Sequence, residues 1–170
     1  MISDAGPGEV LFNFTNPAHV ADWRAINDGV MGGESSSAPE IRDGCLHFSG
    51  HISLENNGGF ASIRSQQRMD LSTATGVILR VKGDGRRYQF RLYTDARYHE
   101  SRIAYSCSFN TTAGQWLDVS IEFSSLEPVF RGRLLSGPAF NAASVEQMGF
   151  LLADKQQGDF HLLVDWIHAV

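Results

Sequence analysis

Short apolar runs of strand length recur along the whole chain, each bounded by turn residues. The runs cover residues 10–14, 45–51, 60–66, 76–81, 88–94, 103–109, 116–123, 148–153 and 160–167. Several runs alternate apolar and polar residues, as Leu117, Val119, Ile121 and Phe123 do within 116–123. Such strands have one core face and one polar face, which predicts an all-β sandwich of antiparallel sheets.

The segments between the runs carry turn signals. Residues 82–86 contain Asp-Gly and predict a tight hairpin, and residues 154–159 predict another between the last two strands. A short helix is expected over residues 17–23, where proline opens the segment. Two connections, 26–40 and 124–144, are long, and long ordered loops often carry function.

No linker, repeat or low-complexity tract interrupts this pattern. We therefore expect residues 1–170 to form a single domain, with its core over about 10–168. An apolar fraction of 42% supplies that core without a disulfide or metal. Cys45 and Cys107 lie in strand-like runs without zinc-type spacing, and we expect both to act as small apolar residues.

The net charge and the hydropathy of the chain limit which classes of partner and which cellular location are expected. A net charge of −5 offers no broad cationic field, so nucleic acid is not an expected partner. The first ten residues have no basic stretch followed by an apolar segment, and the chain has no apolar run long enough for a membrane span. These features predict a cytoplasmic protein.

No motif for catalysis, a metal or a cofactor is recognisable. The GxSxG, HExxH and P-loop patterns are missing from the sequence, and the glycines of residues 83–85 precede a strand, whereas a dinucleotide site needs a helix. Two histidines, His47 and His51, are too far apart along a strand to ligate one metal easily. Nothing selects an acid–base pair among Asp28, Glu34, Asp95, Asp154 and Asp159.

Cationic and aromatic side chains form a more suggestive group. If Tyr88, Phe90 and Leu92 face the core, then Arg91 and Tyr93 share the opposite, outward face. Arginine and tyrosine are typical of protein interfaces and of sugar-binding sites, and a solvated strand face is the alternative interpretation. The group also includes Arg64, Arg80, Phe130, Arg131, Arg133 and Lys155.

Five groups of residues, in order and at compatible spacing, resemble one family. They are Trp23 with NDGVMGGES at 27–35, GGFAS at 58–62, VKGDG at 81–85, PVFRG at 128–132, and GFLLADK at 149–155 with Gly158, Phe160 and DWI at 165–167. Over residues 10–168 the chain resembles the complex I intermediate-associated protein family of the thirty-kilodalton type. The resemblance implies a galactose-binding-like jelly roll. It also implies a non-catalytic, chaperone-like role in assembling respiratory complex I.

We therefore expect a binding domain that docks a protein partner, such as a respiratory complex subunit. The expected surface consists of the loop 27–35, the flap 130–133 and the turn at 154–155. With the cationic and aromatic group, the candidate binding residues are Asn27, Asp28, Met31, Gly32, Gly33, Ser35, Arg64, Arg91, Tyr93, Phe130, Arg131, Asp154 and Lys155.

Three alternatives remain open. The domain is a carbohydrate-binding module if Trp23, Tyr93 or Trp116 is exposed to stack on a sugar ring. It is an enzyme if several carboxylates meet around a divalent ion or nucleotide. In the third alternative the motif residues are structural, and Asp28, Arg131 and Asp154 form ion pairs that pin the long loops.

Overall fold

The fold is built almost entirely from strands. The computed structural model describes residues 2–4 and 8–170, without the side chains of residues 2–4, Val30, Met31 and Asn57. Its strands are β1 Ile2–Asp4, β2 Val10–Phe12, β3 Trp23–Ala25, β4 Ser36–Arg42, β5 Cys45–Ile52, β6 Ala61–Ser65, β7 Arg68–Asp70, β8 Gly76–Lys82, β9 Arg87–Tyr98, β10 Ser101–Asn110, β11 Trp116–Glu122, β12 Glu127–Phe130, β13 Arg133–Leu134, β14 Gln147–Leu152 and β15 Gly158–Ala169.

Short 3-10 helices connect some of these strands, at Pro17–Asp22, Asp28–Met31, Glu55–Asn57, Phe123–Ser125 and Ala142–Ser144. The first confirms the short helix expected from the sequence, and the Asn16 side chain caps it by accepting a hydrogen bond from the Ala18 amide at 3.0 Å. In the part of the chain that is described, no helix has the length and apolar character that a membrane crossing requires.

Two large antiparallel sheets pack face to face. One has seven strands in the order β13-β12-β10-β9-β14-β6-β3, and the other has the order β11-β8-β15-β5-β4 with β2 paired to β15. A separate parallel pair joins β1 and β7. Large buried side chains from both sheets fill the core, led by Tyr88, Tyr105, Phe48, Phe90 and Phe150. This arrangement confirms the predicted all-β sandwich of two antiparallel sheets.

Each predicted apolar run corresponds to a strand, but the two long connections hold further strands. β4 lies partly within residues 26–40, and β12 and β13 lie within 124–144. β4 and β13 are edge strands with a neighbour on one side only. Edge strands bury less surface and tolerate proline and serine, so their sequences lack the apolar pattern by which interior strands are predicted.

The two predicted hairpins are wrong, because both turns are crossings between the sheets. β8 belongs to the six-stranded sheet and β9 to the seven-stranded sheet, and β14 and β15 are divided in the same way. The Asp84 side chain accepts a hydrogen bond from the Arg86 amide at 3.1 Å, which closes the turn locally. A local turn signal of this kind does not determine in which sheet the chain continues, since that depends on core packing.

An ion pair joins the two crossings, and we call Arg86 and Asp154 the inter-sheet clasp. The guanidinium donates to both carboxylate oxygens, at 2.7 and 2.8 Å, and the two side chains are only 10% and 7% exposed. The same guanidinium donates to the carbonyls of Gly158 at 3.2 Å and Asp159 at 3.0 Å, and to that of Gln156. The β8–β9 turn therefore holds the β14–β15 turn through one satisfied, bidentate side chain.

We expect Arg86→Met to lower the free energy of unfolding by about 3–5 kcal/mol, because it leaves the Asp154 carboxylate buried without a counter-ion. The control is Arg80→Met, whose partner Asp118 is 58% exposed. That change should cost no more than about 1 kcal/mol. Urea denaturation of both variants measures the difference, and equal losses would show that the clasp is no stronger than a surface pair.

Candidate functional site

The loop between β3 and β4 is fixed by one buried carboxylate. Asp28 is 1% exposed. Its Oδ1 accepts a hydrogen bond from the Ser35 amide at 2.9 Å, and its Oδ2 accepts from the amides of Gly59 at 2.6 Å and Phe60 at 3.3 Å. Asp28 therefore ties the β3–β4 crossing to the β5–β6 crossing through backbone amides, without an ion pair.

These bonds set the charge of Asp28 and explain two glycines of the motif. Burial by itself would raise the pKa of Asp28, but the bonds from Gly59 and Ser35 favour the ionised form and hold the pKa below its usual value. A Cβ atom added at Gly33 would lie 2.3 Å from the Asp28 Cγ, and one at Gly58 would lie 2.6 Å from Oδ2. Glycine is needed there because the backbone approaches the carboxylate closely.

Asn27 and Ser35 extend this network inside the loop. The Asn27 Oδ1 accepts from the Ser37 hydroxyl at 2.6 Å and the Ser62 amide at 3.2 Å. The Ser35 hydroxyl donates to the Ser53 carbonyl at 3.1 Å and accepts from the Ser53 amide at 2.9 Å. The polar groups of this motif therefore bond to the fold itself.

The other predicted loop residues lie at the two ends of the sandwich. Gly32 is exposed with φ 89°, and the side chain of Met31 lies outside the described part of the chain. Lys155 is exposed beside the inter-sheet clasp, at the end where the chain crosses between sheets. Phe130 and Arg131 lie at the β12–β13 turn, which the antiparallel pairing of β12 with β10 places at the opposite end. The three predicted segments therefore do not form one continuous surface.

Of the three ion pairs in the structural alternative, only that of Asp154 forms, and the structural role of Asp28 depends on no ion pair. Asp28 binds backbone amides, and Asp154 pairs with Arg86. The exposed Arg131 has its guanidinium carbon 5.4 Å from the centre of the Phe130 ring, and within the described residues it has no carboxylate partner. The pinning of the crossing loops is thus done by buried carboxylates.

Arg64, Arg91 and Tyr93 do come together, on the outer face of the seven-stranded sheet. Arg64 and Arg91 lie opposite Gly149 from the two sides of β14, and Arg24 on β3 lies opposite Arg64. We call Arg24, Arg64 and Arg91 the arginine row. The guanidinium carbon of Arg64 lies 4.2 Å from the centre of the Tyr93 ring, which is only 2% exposed.

The arginine row has no counter-ion in the described part of the chain, where every recorded ion pair involves other residues. Arg91 donates to the neutral Gln89 Oε1 at 2.8 and 3.1 Å. Arg97 and Arg102 on the same face differ from the arginine row in having a counter-ion. They share the Glu146 carboxylate, at 3.3 and 2.9 Å. The row is therefore a positive strip on a chain whose net charge is −5.

Two buried polar atoms beside the row lack a hydrogen-bond partner, the Arg64 Nε and the Gln147 Oε1. Gln147 lies opposite Tyr93 in the sheet, and its amide nitrogen donates to the Gln66 Oε1 at 3.1 Å. Burial lowers the pKa of the Arg64 guanidinium, and the like charge of Arg91 lowers it further. Buried polar groups are normally satisfied, so these two atoms are exceptions on this face of the sheet.

Sequence reasoning missed Arg24 and Gln147. Arg24 lies on β3, a three-residue strand that is too short to show an alternating pattern and whose first residue falls in the segment predicted as a helix. Gln147 directly precedes the apolar run at 148–153. Extending the alternation of that run by one residue would have placed Gln147 on the outward face.

The aromatic residues proposed for stacking on sugar are not available on this face. Trp23 is 5% and Tyr93 2% exposed. Trp116 lies on β11 in the other sheet, where Arg80 and Lys82 approach its ring at 5.5 and 5.4 Å. The described residues also contain no group of three histidine, cysteine or acidic side chains that could hold a metal ion.

The six-stranded sheet carries a pair of histidines on its outer face. The His47 Nδ1 lies 2.8 Å from the His161 Nε2, and the His47 Nε2 is buried without a partner. Burial lowers the pKa of both imidazoles, and the charge of Arg42 lowers both further. A shared N–H···N bond requires at least one neutral ring, so the pair opposes protonation.

We expect the histidine pair to make folding stability depend on pH. Free histidine has a pKa of about 6.5, so as the pH falls below that value the unfolded state takes up more protons than the folded state. The stability is present above about pH 6.5 and is lost on acidification towards the lower folded pKa values. Urea denaturation from about pH 7 to 5 should show a shallower loss in His161→Gln than in the unmodified chain. An unchanged slope would contradict this assignment.

We expect Asp28→Asn to lower the free energy of unfolding by about 2–4 kcal/mol, because the amide nitrogen would face backbone N–H groups that need an acceptor. Because the folded pKa of Asp28 is lowered, its stabilisation is present above about pH 4 and is lost as the pH falls further. Chemical denaturation at neutral pH measures the loss. The control is Asp43→Asn at an exposed turn, and a similar cost for both would contradict the role of Asp28.

The fold is similar to that of a solved carbohydrate-binding module. The family 11 carbohydrate-binding module from Clostridium thermocellum, solved with a β-1,3-1,4-mixed-linked tetrasaccharide, is similar to the chain with a TM-score of 0.73 and 16% identity, over 98% of this chain and 96% of that one. This likeness confirms the jelly-roll sandwich. It shows the fold alone.

Proteins that are similar in sequence differ from this structural neighbour, because they are named as complex I intermediate-associated proteins. Complex I intermediate-associated protein 30, mitochondrial, from Mus musculus is 25% identical over 93% of this chain, and that from Drosophila melanogaster is 23% identical over 95%. The chain spans 55% and 63% of the length of these two proteins. Residues 12–164 match the model of the family described as Complex I intermediate-associated protein 30. Since this match extends over most of its length, the chain belongs to the complex I intermediate-associated protein 30 family.

Proposed function

We propose that the chain is a non-catalytic binding domain that acts in the assembly of respiratory complex I. It holds a protein partner on the outer face of the seven-stranded sheet, centred on the arginine row. The observation that carries this proposal is the lack of any counter-ion for Arg24, Arg64 and Arg91 in the described part of the chain. The names of the family and of its curated relatives support a role in complex I assembly.

The distribution of satisfied polar groups supports this choice of surface. At the crossing end, Asn27, Asp28 and Ser35 bond within the fold, as does the inter-sheet clasp. These residues shape the domain, and we propose that they act on a partner only indirectly. Arginine and tyrosine are enriched where proteins bind one another, and the sheet face offers both on rigid strands.

We propose that the exposed loop residues lie at the margins of the docking surface. Gly32 and Lys155 at one end of the sandwich, with Phe130 and Arg131 at the other, flank the sheet face and are predicted to contact only a partner that extends past it. We also propose that residues 1–170 act as one domain. The cytoplasmic location stays a prediction, because the relatives' names carry the word mitochondrial.

Non-catalytic binding fits the environment of two of the five carboxylates that remained as acid–base candidates. Asp28 has both oxygens hydrogen-bonded to backbone amides, and Asp154 has both bonded to Arg86. An acid–base pair needs carboxyl groups that can reach a substrate. Neither of these two groups is free to do so.

The test is affinity capture of the tagged chain from detergent-solubilised extract of its source cells, with complex I subunits identified by mass spectrometry. The arginine-row variant is Arg91→Glu, and the matched control is Arg42→Glu on the other sheet, whose side chain is 52% exposed. We expect the first to lower recovery of the subunits at least about tenfold and the second by less than about twofold, because charge reversal at an interface opposes docking.

Two results would contradict the proposal. One is that the unmodified chain recovers no complex I subunit. The other is that Arg91→Glu and Arg42→Glu lower recovery equally while both variants retain the melting temperature of the unmodified chain. The second result would place the docking surface elsewhere on the molecule.

A further inference from the structure

Building on the proposed function, we infer that the arginine row is a carboxylate-binding site for an acidic, extended peptide segment, with Arg64 as its anchor. The partner therefore presents aspartate or glutamate side chains to this face. The inference rests on the surroundings of Arg64, on the geometry that holds its guanidinium, and on the charge of the face.

Arg64 is a partly desolvated cation without a counter-charge. Its Nε is buried and makes no hydrogen bond, and the described residues provide no carboxylate within ion-pair distance of it. A buried charge is costly unless it is paired, and the guanidinium matches a carboxylate with two parallel hydrogen bonds. Arg64 is thus arranged to receive an anion that the chain itself does not supply.

The guanidinium is also held in place before any ligand binds. It stacks on the Tyr93 ring, with 4.2 Å between the guanidinium carbon and the ring centre. A Cβ atom at Gly149 would lie only 3.2 Å from the Arg64 Cγ, so the side chain extends across the space that Gly149 leaves free. A preordered side chain loses less entropy on binding, which favours affinity.

An extended peptide contacts more of this site than a simple anion does. Arg24 lies one strand from Arg64 and Arg91 two strands away, at roughly 5 and 10 Å. In an extended segment, alternate side chains on one face are roughly 7 Å apart, so neighbouring acidic residues can reach more than one arginine.

The charge of the face selects an acidic partner. Six arginines lie on this face, namely Arg24, Arg64, Arg87, Arg91, Arg97 and Arg102. Of these, Arg97 and Arg102 share the single carboxylate of Glu146. The face also carries the carboxylates of Asp95, Glu127 and Glu146, so positive charge is in excess. The rest of a chain with a net charge of −5 repels an acidic segment, so electrostatic attraction directs such a segment to the arginine row.

The test measures binding of fluorescent poly-L-glutamate to the whole chain by anisotropy at low salt. The variant is Arg64→Met, and the control is Arg80→Met, since Arg80 also lies over an aromatic ring, at 5.5 Å from that of Trp116, but has Asp118 as its counter-ion. We expect Arg64→Met to weaken binding at least about tenfold, which is the loss of one charge-assisted contact. Arg80→Met should change it by less than about twofold.

Melting temperature gives a second readout that a structural role of Arg64 would not produce. Removing an unpaired, desolvated charge should raise the melting temperature of Arg64→Met by about 2–4 °C. Arg80→Met should cause no rise. A lower melting temperature for Arg64→Met would mean that Arg64 stabilises the fold, and it would overturn the inference.

Further outcomes decide the class of ligand. Unchanged poly-L-glutamate affinity in Arg64→Met overturns the inference, as does tighter binding of polygalacturonate or single-stranded DNA at equal salt. Arg64-dependent binding of poly-L-glutamate without capture of complex I subunits would support the carboxylate site and remove the assembly role. Capture of complex I subunits without binding of poly-L-glutamate would support the assembly role and remove the carboxylate site.

Discussion

The bidentate ion pair between Arg86 and Asp154 joins two of the places where the chain leaves one sheet and enters the other. Hydrophobic burial holds the sheets together but is non-directional, so it does not by itself set how the crossings meet. Directional bonds to buried carboxylates do so here. Asp28 performs the same task for two other crossings by accepting backbone amides at 2.6 to 3.3 Å. One end of the sandwich is therefore fastened by side chains whose hydrogen bonds are all internal.

This arrangement changes how the family motifs are understood. The strings at 27–35, 81–85 and 149–155 are rich in polar residues and glycine, as binding loops often are. In the structure, their buried polar residues bond to the backbone and to one another, and Gly33 lets the chain approach a carboxylate. The buried polar atoms that lack a partner lie instead on the outer faces of the sheets, at Arg64 and Gln147 on one sheet and at His47 on the other. A surface that costs stability in the free protein is a better candidate for binding than one that is fully satisfied.

The structural likeness to a carbohydrate-binding module shows a shared fold and does not imply a shared function. Both chains are sandwiches of similar size, with 98% and 96% of their lengths aligned. In this chain the outer face of the seven-stranded sheet buries Tyr93 under Arg64 and presents arginine without a counter-ion among the described residues. The proposal of an acidic protein partner therefore rests on the chemistry of this face and not on the architecture.

The sequence by itself determined the fold class, because alternating apolar runs such as 116–123 leave a strand only one face to bury. It also determined that Arg91 and Tyr93 point away from the core, since both follow from the same period of two. Edge strands, sheet membership and the convergence of Arg24, Arg64 and Gln147 depended on tertiary structure. Their positions are fixed by pairings between residues far apart in the chain, such as Gly149 with Arg64 and with Arg91. Local patterns cannot encode which strands become neighbours, because the packing of the whole core decides it.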